Sequence, residues 1–223
     1  MNLKRLDFVV TRVFRDGRGK VEHRILPSPI GVAVGDNSVW LLGVRDERNV
    51  LLRLDRQTAR VTKTIHLRTI KATSLAVGDG RVWVASAEGG GLYRIDALSG
   101  RVTGHRALGA CAGQPRVGFA SVWMCVCNPG SLMLRIDPDT LRNRLARNSV
   151  PAQNGMFSLG YGAVWWHDVP SGTVMRWAPT SGDLAGTIRI TPTPPNPKAA
   201  SLQTTSIAAG AGAVWVTVAD IRA

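Results

Sequence analysis

The stretch Val77-Gly78-Asp79-Gly80-Arg81-Val82-Trp83-Val84-Ala85-Ser86, followed by Leu92-Tyr93-Arg94-Ile95-Asp96-Ala97-Leu98-Ser99-Gly100-Arg101-Val102, decides how this chain folds. An apolar run meets a Gly-containing turn, then Val-Trp, then a polar loop, then an Arg between apolar residues, then a second turn. The same pattern returns along the chain. Arg12, Arg53, Arg94, Arg135 and Arg176 stand 41 residues apart. The Val-Trp pairs end at Trp40, Trp83, Trp123, Trp165 and Trp215, with spacings of 43, 40, 42 and 50. Internal repetition at about 40 residues is the mark of stacked supersecondary units.

Each unit reads as four short strands, A to D. Strand A is small and apolar (Ile30–Val34, Ser74–Val77, Arg116–Phe119, Phe157–Leu159, Ser206–Ala209). Its following Gly turn is expected to use glycine for positive φ. Strand B carries Val-Trp, strand C the Arg, and a turn such as Asp55–Arg60, Asp96–Arg101 or Asp137–Arg142 leads to strand D. Helical periodicity is absent. Four strands per repeat of about 40 residues predict an all-β fold, a β-propeller.

Blades are expected at about 29–68, 72–109, 114–149 and 155–190. Residues 7–26 read as strands C and D, and 205–220 as strands A and B, so the two ends are expected to complete one composite blade. That gives one propeller domain of five blades and leaves no exposed sheet edge. The alternative is a piece of a longer propeller. The 50-residue interval comes from a Pro-rich insertion at 191–204. Proline removes backbone donors and favours extended, unpaired chain.

Composition narrows the function classes. The chain has 223 residues, 44% of them hydrophobic, so a sizeable core is available and disorder is excluded. No apolar run approaches the 18 or so residues of a membrane helix, and no secretory signal is visible. The three cysteines, Cys111, Cys125 and Cys127, are no disulfide framework. A cytoplasmic monomer without a membrane attachment is the expectation.

These repeats resemble the blades of virginiamycin B lyase-like proteins, and equally YVTN (YncE-type) and NHL-like propellers. The likeness spans nearly the whole chain, but it is a likeness of scaffold. The lyase family implies a magnesium-assisted elimination on cyclic streptogramin antibiotics, run by converging His and Glu residues. Its Glu follows the strand B Trp; here Trp40-Leu-Leu-Gly, Trp83-Val-Ala-Ser, Trp123-Met-Cys-Val, Trp165-Trp-His-Asp and Trp215-Val-Thr-Val carry none. This departure argues against lyase activity.

The face bearing the B–C and D–A loops is the expected ligand face, carrying Arg45, Arg116 and Asn128. His167 and Asp168, with Glu88 in another blade, are the catalytic candidates, able in principle to hold Mg²⁺ or move protons. Adjacent strand residues point to opposite sheet faces, so ordinary loop polarity is the competing reading. No cofactor and no metal site is expected otherwise. His66 and His105 are expected at matching outer positions in strand D. The Arg and Trp ladders are expected to be structural, with every repeat Trp buried and Arg–Asp pairs such as Arg53/Asp55 bridging blades.

Charge is the last signal. Lys and Arg total 28 against 15 Asp and Glu, a net +13. The excess lies in the C–D turns and strand D, spread around a rim. It invites an acidic ligand, an unidentified protein, or nucleic acid held nonspecifically through phosphates. The expected function is a non-enzymatic binding and interaction scaffold, with the metal-assisted lyase and the nucleic-acid binder as alternatives.

Overall fold

A computed structural model describes residues 10–13, 20–23, 28–86, 91–108, 112–127, 131–147, 156–168, 172–190 and 203–219. Glu88, Asn128, Cys111 and residues 191–202 of the Pro-rich insertion lie outside the described residues. Those described are strands and turns without an α-helix, so no helix is long and apolar enough to cross a membrane. The chain divides into two compact units, Met1–Pro115 and Arg116–Ala223.

The first unit holds the hairpin of β1 (Val10–Val13) and β2 (Lys20–His23), in which Arg12 faces Val21. Two four-stranded antiparallel meanders follow. One is β3 (Ser28–Gly35), β4 (Ser38–Arg45), β5 (Arg48–Asp55) and β6 (Val61–Leu67). The other is β7 (Ala72–Gly78), β8 (Arg81–Ser86), β9 (Gly91–Asp96) and β10 (Val102–Ala107).

The second unit has the same construction. It contains β11 (Arg116–Gly118), β12 (Ser121–Cys127), β13 (Ser131–Ile136) and β14 (Asn143–Arg147), then β15 (Met156–Gly160), β16 (Ala163–Asp168), β17 (Thr173–Trp177) and β18 (Leu184–Arg189). The hairpin of β19 (Gln203–Gly210) and β20 (Ala213–Ala219) ends it. Strand β19 begins at Gln203, so the last two residues assigned to the insertion belong to a strand. The strands expected to share a fifth blade form two hairpins, one in each unit.

The A–B turns bear out the glycine reading at Gly80, Gly162 and Gly212, which adopt positive φ, and show a second role for the leading glycine. Positive φ belongs to the two residues after the first glycine: Asp36 and Asn37, Asp79 and Gly80, Phe119 and Ala120, Tyr161 and Gly162, Ala211 and Gly212. These are two-residue hairpin turns whose mirror-image geometry matches strand twist. At Gly35, Gly118 and Gly160 the leading glycine closes strand A where a neighbouring sheet comes too near for a side chain, whereas a Cβ on Gly210 would meet open space. A Cβ on Gly35 would lie 2.9 Å from Val77, one on Gly118 2.9 Å from Leu159, and one on Gly160 2.7 Å from Ala209. Close packing of successive A strands, rather than turn strain, selects glycine there.

Three C–D turns open on an Asp whose side chain caps the turn. The Asp55 carboxylate accepts from the Thr58 and Gln57 N–H groups at 2.7 and 3.1 Å. Asp137 accepts from Thr140 and Asp139 at 2.8 and 2.9 Å, and Asp96 from Ser99 at 2.6 Å. These bonds favour the charged carboxylate and hold all three acids below the ordinary Asp range, led by the Thr58 N–H at Asp55, the Ser99 hydroxyl at Asp96 and the Thr140 N–H at Asp137. In the last meander Ala178 stands at the Asp position.

The core lies between successive sheets. Trp40, Leu42, Leu51 and Leu67 of one sheet bury against Ala72, Leu75, Val82, Val84 and Ile95 of the next. Leu41, Val50, Leu52 and Leu54 form a second cluster from the other face of β4 and β5. Both faces of the middle strands are covered, so those strands read as continuous apolar runs rather than as alternation. In the second unit Trp123 and Met133 pack with Phe157, Val164, Trp166 and Met175.

Candidate functional site

The arginine and tryptophan ladders are one structure. Strand register sets Trp40 opposite Arg53, Trp83 opposite Arg94, Trp123 opposite Arg135 and Trp165 opposite Arg176. The guanidinium carbons of Arg53, Arg135 and Arg176 lie 5.9, 5.7 and 5.8 Å from the facing indole centroids, within cation–π range. Arg53 and Arg135 also donate through Nε to Ser38 Oγ at 2.8 Å and Ser121 Oγ at 2.9 Å. Arg135 reaches the next sheet by donating to the Thr180 carbonyl at 3.0 Å. Arg94 donates to Thr103 Oγ1 at 3.1 Å. The ladder serves mainly its own sheet, and Asp55, Asp96 and Asp137 turn to their loops. Arg12 belongs to β1, whose side chains are outside the described residues.

The tryptophans are not equivalent. Trp40, Trp83 and Trp123 are buried and Trp165 is half-buried, but Trp215 is 61% exposed, contrary to expectation. The indoles of Trp123, Trp165 and Trp215 donate to the strand A glycine carbonyls of Gly118, Gly160 and Gly210 at 3.0, 3.0 and 3.1 Å. Trp215 keeps that bond while its ring lies open.

His167 and Asp168 lie at the end of β16, opposite Met156 and Val174 and opposite Thr173 respectively. Both are buried, at 1% and 5% exposure. Alternation separates them: His167 shares a face with Trp165, and Asp168 shares one with Trp166. Both ring nitrogens of His167 are buried without a hydrogen-bond partner. Burial pushes its pKa below the ordinary value against the pull of the Asp168 charge. The imidazole is enclosed among its described neighbours, and residues 169–171 beside it lie outside the described residues. Glu88 lies outside the described residues, and among those described no three His, Cys, Asp or Glu side chains gather as a metal cage.

Arg116, expected on the ligand face, is half-buried. Its guanidinium stacks 5.4 Å from the Phe157 ring, and burial lowers its pKa. It therefore joins two sheets. Cys125 is a free, largely enclosed thiol whose pKa burial drives upward, which makes it a poor nucleophile. His105 stacks on Tyr93 with ring centroids 4.2 Å apart. His105 faces Tyr93, one residue before the ladder Arg94, whereas His66 faces Val50, three before Arg53, so the two histidines are not at matching positions.

Arg45, one of the expected ligand residues, lines a cleft of about 260 Å³ with Asp46, Arg48 and His66. The β4–β5 connection is a two-residue turn, Asp46 and Glu47, both at positive φ, so Arg45 directly faces Arg48. Sequence reading did not name Arg48, and it set His66 at an outer strand D position rather than in this cleft. The turn length signals the first, while the second depends on a strand register that only the folded sheet fixes.

No family model matches the chain, and no curated protein does. Among solved structures it is similar to the Myxococcus xanthus glutaminyl cyclase, at 15% identity and a TM-score of 0.51, covering 87% of this chain and 89% of that one. It is also similar to the Kuenenia stuttgartiensis hydrazine synthase, at 13% identity and a TM-score of 0.63, covering 82% of this chain and 52% of that one. Likeness at this identity concerns fold alone. The fold is an all-β propeller, built of four-stranded antiparallel blades.

Proposed function

We propose that this propeller is a non-enzymatic binding scaffold that presents a basic rim to an acidic ligand. One observation carries the reading. Arg48, Arg56, Arg60, Arg68, Arg101 and Arg142 are exposed, whereas Asp55, Asp96 and Asp137 spend their carboxylates on turn N–H groups. Asp137 additionally pairs with Arg144. These three carboxylates are held by their own loops, and across the chain 28 Lys and Arg outnumber 15 Asp and Glu, so positive charge is in surplus. The repeat's resemblance to YVTN-type and virginiamycin B lyase-like propellers agrees with a scaffold role. The activities named for the two similar structures belong to those proteins.

Fluorescence anisotropy against labelled polyglutamate and a labelled 20-base-pair DNA duplex tests the reading. Binding is expected at about 50 mM salt, and it should weaken steeply by about 200 mM as counterions cease to be released. A reversal of charge at Arg56, Arg60 and Arg142 together should weaken it further. Absence of binding to either polyanion at the lower salt would overturn the proposal.

A further inference from the structure

Two sheets of this chain stop at two strands, and they stop at complementary places. We propose that a second copy of the chain completes them. The β1–β2 hairpin of one copy docks beside the β19–β20 hairpin of the other, in a reciprocal exchange that makes a dimer. This goes beyond the scaffold reading and does not depend on it.

The four-stranded sheets show what a finished junction looks like. Each of their Val-Trp strands, β4, β8, β12 and β16, pairs on both edges and sets its Trp opposite a ladder arginine on the following strand. Strand β20 is paired by β19 alone among the described strands, and its Trp215 is exposed. Strand β1 carries the remaining ladder arginine, Arg12, and is paired by β2 alone among the described strands. Arg12 stands 41 residues before Arg53, so by spacing β1 is a strand C, the kind that lies beside a Val-Trp strand. Laying β1 along the free edge of β20 gives partners to open backbone donors and acceptors on both hairpins. The repeat register then sets Arg12 opposite Trp215.

The flanking faces carry the same imprint. Ile188 and Ile190 lie opposite Val174 and Gly172, two and four residues before Arg176. Ile65 and Leu67 hold those positions relative to Arg53, and there they pack against the next sheet. Ile188 and Ile190 are exposed, awaiting a strand C–D hairpin, which β1–β2 supplies. At the other end, Val34 holds the position of Val77, Leu159 and Ala209, each of which receives the closing glycine of the preceding strand A. Val34 is 74% exposed, and a Cβ on Gly210 meets nothing within 4 Å. A receiving residue without its glycine and a glycine without its receiver are two halves of one contact. The exchange brings β19 of one copy against β3 of the other and joins them. Swapping an identical element between chains costs little, because every contact is one the fold already uses. Each copy gives one hairpin and takes one, so the assembly closes instead of growing into a filament.

Sedimentation equilibrium of the full chain, freed of nucleic acid, tests the proposal. A dimer mass is expected, with the Trp fluorescence shifting to the blue as rising concentration covers Trp215. Arg12→Glu and Trp215→Ala should each weaken the dimer about tenfold or more, the effect of losing one central anchor. Mixed one to one, the two variants should recover association, because one of the two junctions in a mixed pair then has both native residues. Val102→Lys, at an exposed position of β10, should leave the dimer unchanged. Two copies of like charge repel, so the dimer should persist from about 50 to 200 mM salt, where polyanion binding weakens. A monomer mass at every concentration up to about 100 μM, where a micromolar complex is largely formed, would overturn the proposal. So would a dimer that Trp215→Ala leaves intact, no recovery on mixing, or a dimer lost at the higher salt. None of these outcomes touches the scaffold reading, which polyanion binding decides.

Discussion

Arg53 lies over Trp40, with 5.9 Å from the guanidinium carbon to the ring centroid, and the two residues face each other across β4 and β5. The pair explains why a charge recurs every 41 residues in a core-forming strand. The indole supplies a negative π-face and Ser38 Oγ accepts from Nε at 2.8 Å, so the guanidinium is satisfied where it is only half-buried. Arg is suited to this because it is planar and weakly hydrated.

Replacing Arg53 by Lys keeps the charge but loses the stacked plane and the Nε donor. The change should cost about 1–2 kcal/mol, the sum of a cation–π contact and one hydrogen bond. Urea denaturation of the variant beside wild type measures it, and a cost as small as that of an exposed surface substitution would show the pairing to be incidental.

The strand A glycines should separate by packing. In Gly160→Ala the new Cβ meets the Ala209 Cβ at 2.7 Å, whereas in Gly210→Ala it meets nothing within 4 Å. Overpacking should cost the first about 1–3 kcal/mol. The second should stay within about 0.5 kcal/mol of wild type, as surface changes do. Thermal melts of both variants give the comparison.

Ala178 occupies the turn position that Asp55, Asp96 and Asp137 hold in the other blades. The turn already closes by Gly182 N–H donating to the Ala178 carbonyl at 2.8 Å, and Ser181 stands where Thr58, Ser99 and Thr140 stand. Ala178→Asp should therefore gain a side-chain acceptor for the Ser181 N–H and add about 0.5–1 kcal/mol of stability. Differential scanning calorimetry should show a higher melting temperature, and no gain would indicate that the loop does not accept the carboxylate.

His167 gives a pH signature. Its folded pKa lies below its ordinary value of 6.5, so between the two the unfolded chain binds more protons than the folded one. Stability should consequently fall as pH drops from about 6.5 toward the folded pKa, and should be insensitive to this group above about 7. His167→Phe should flatten that acid limb in stability measured from pH 5 to 8. An unchanged slope in the variant would assign the limb to other groups.

Much of the fold was legible in the sequence. The spacing of Arg and Val-Trp located the four complete sheets, because strand length, turn length and a repeated core leave one period for all of them. Turn chemistry was readable at Asp55, Asp96 and Asp137, where a short side chain reaches N–H groups two or three residues away. Such interactions are local, so they survive in sequence.

What crosses between strands and sheets was not legible. Only register could show that Arg53 belongs to Trp40 rather than to a neighbouring blade's Asp, and that His66 joins Arg45 and Arg48. Only the approach of one A strand to the next shows why glycine ends it, since a Cβ placed on Gly35 would lie 2.9 Å from Val77, 42 residues further along the chain. Burial of His167 and exposure of Trp215 likewise depend on what lies against each sheet. Period, strands and basic surplus follow from spacing and composition alone. Which charges meet depends on the folded sheets, because long-range packing has no imprint on local spacing.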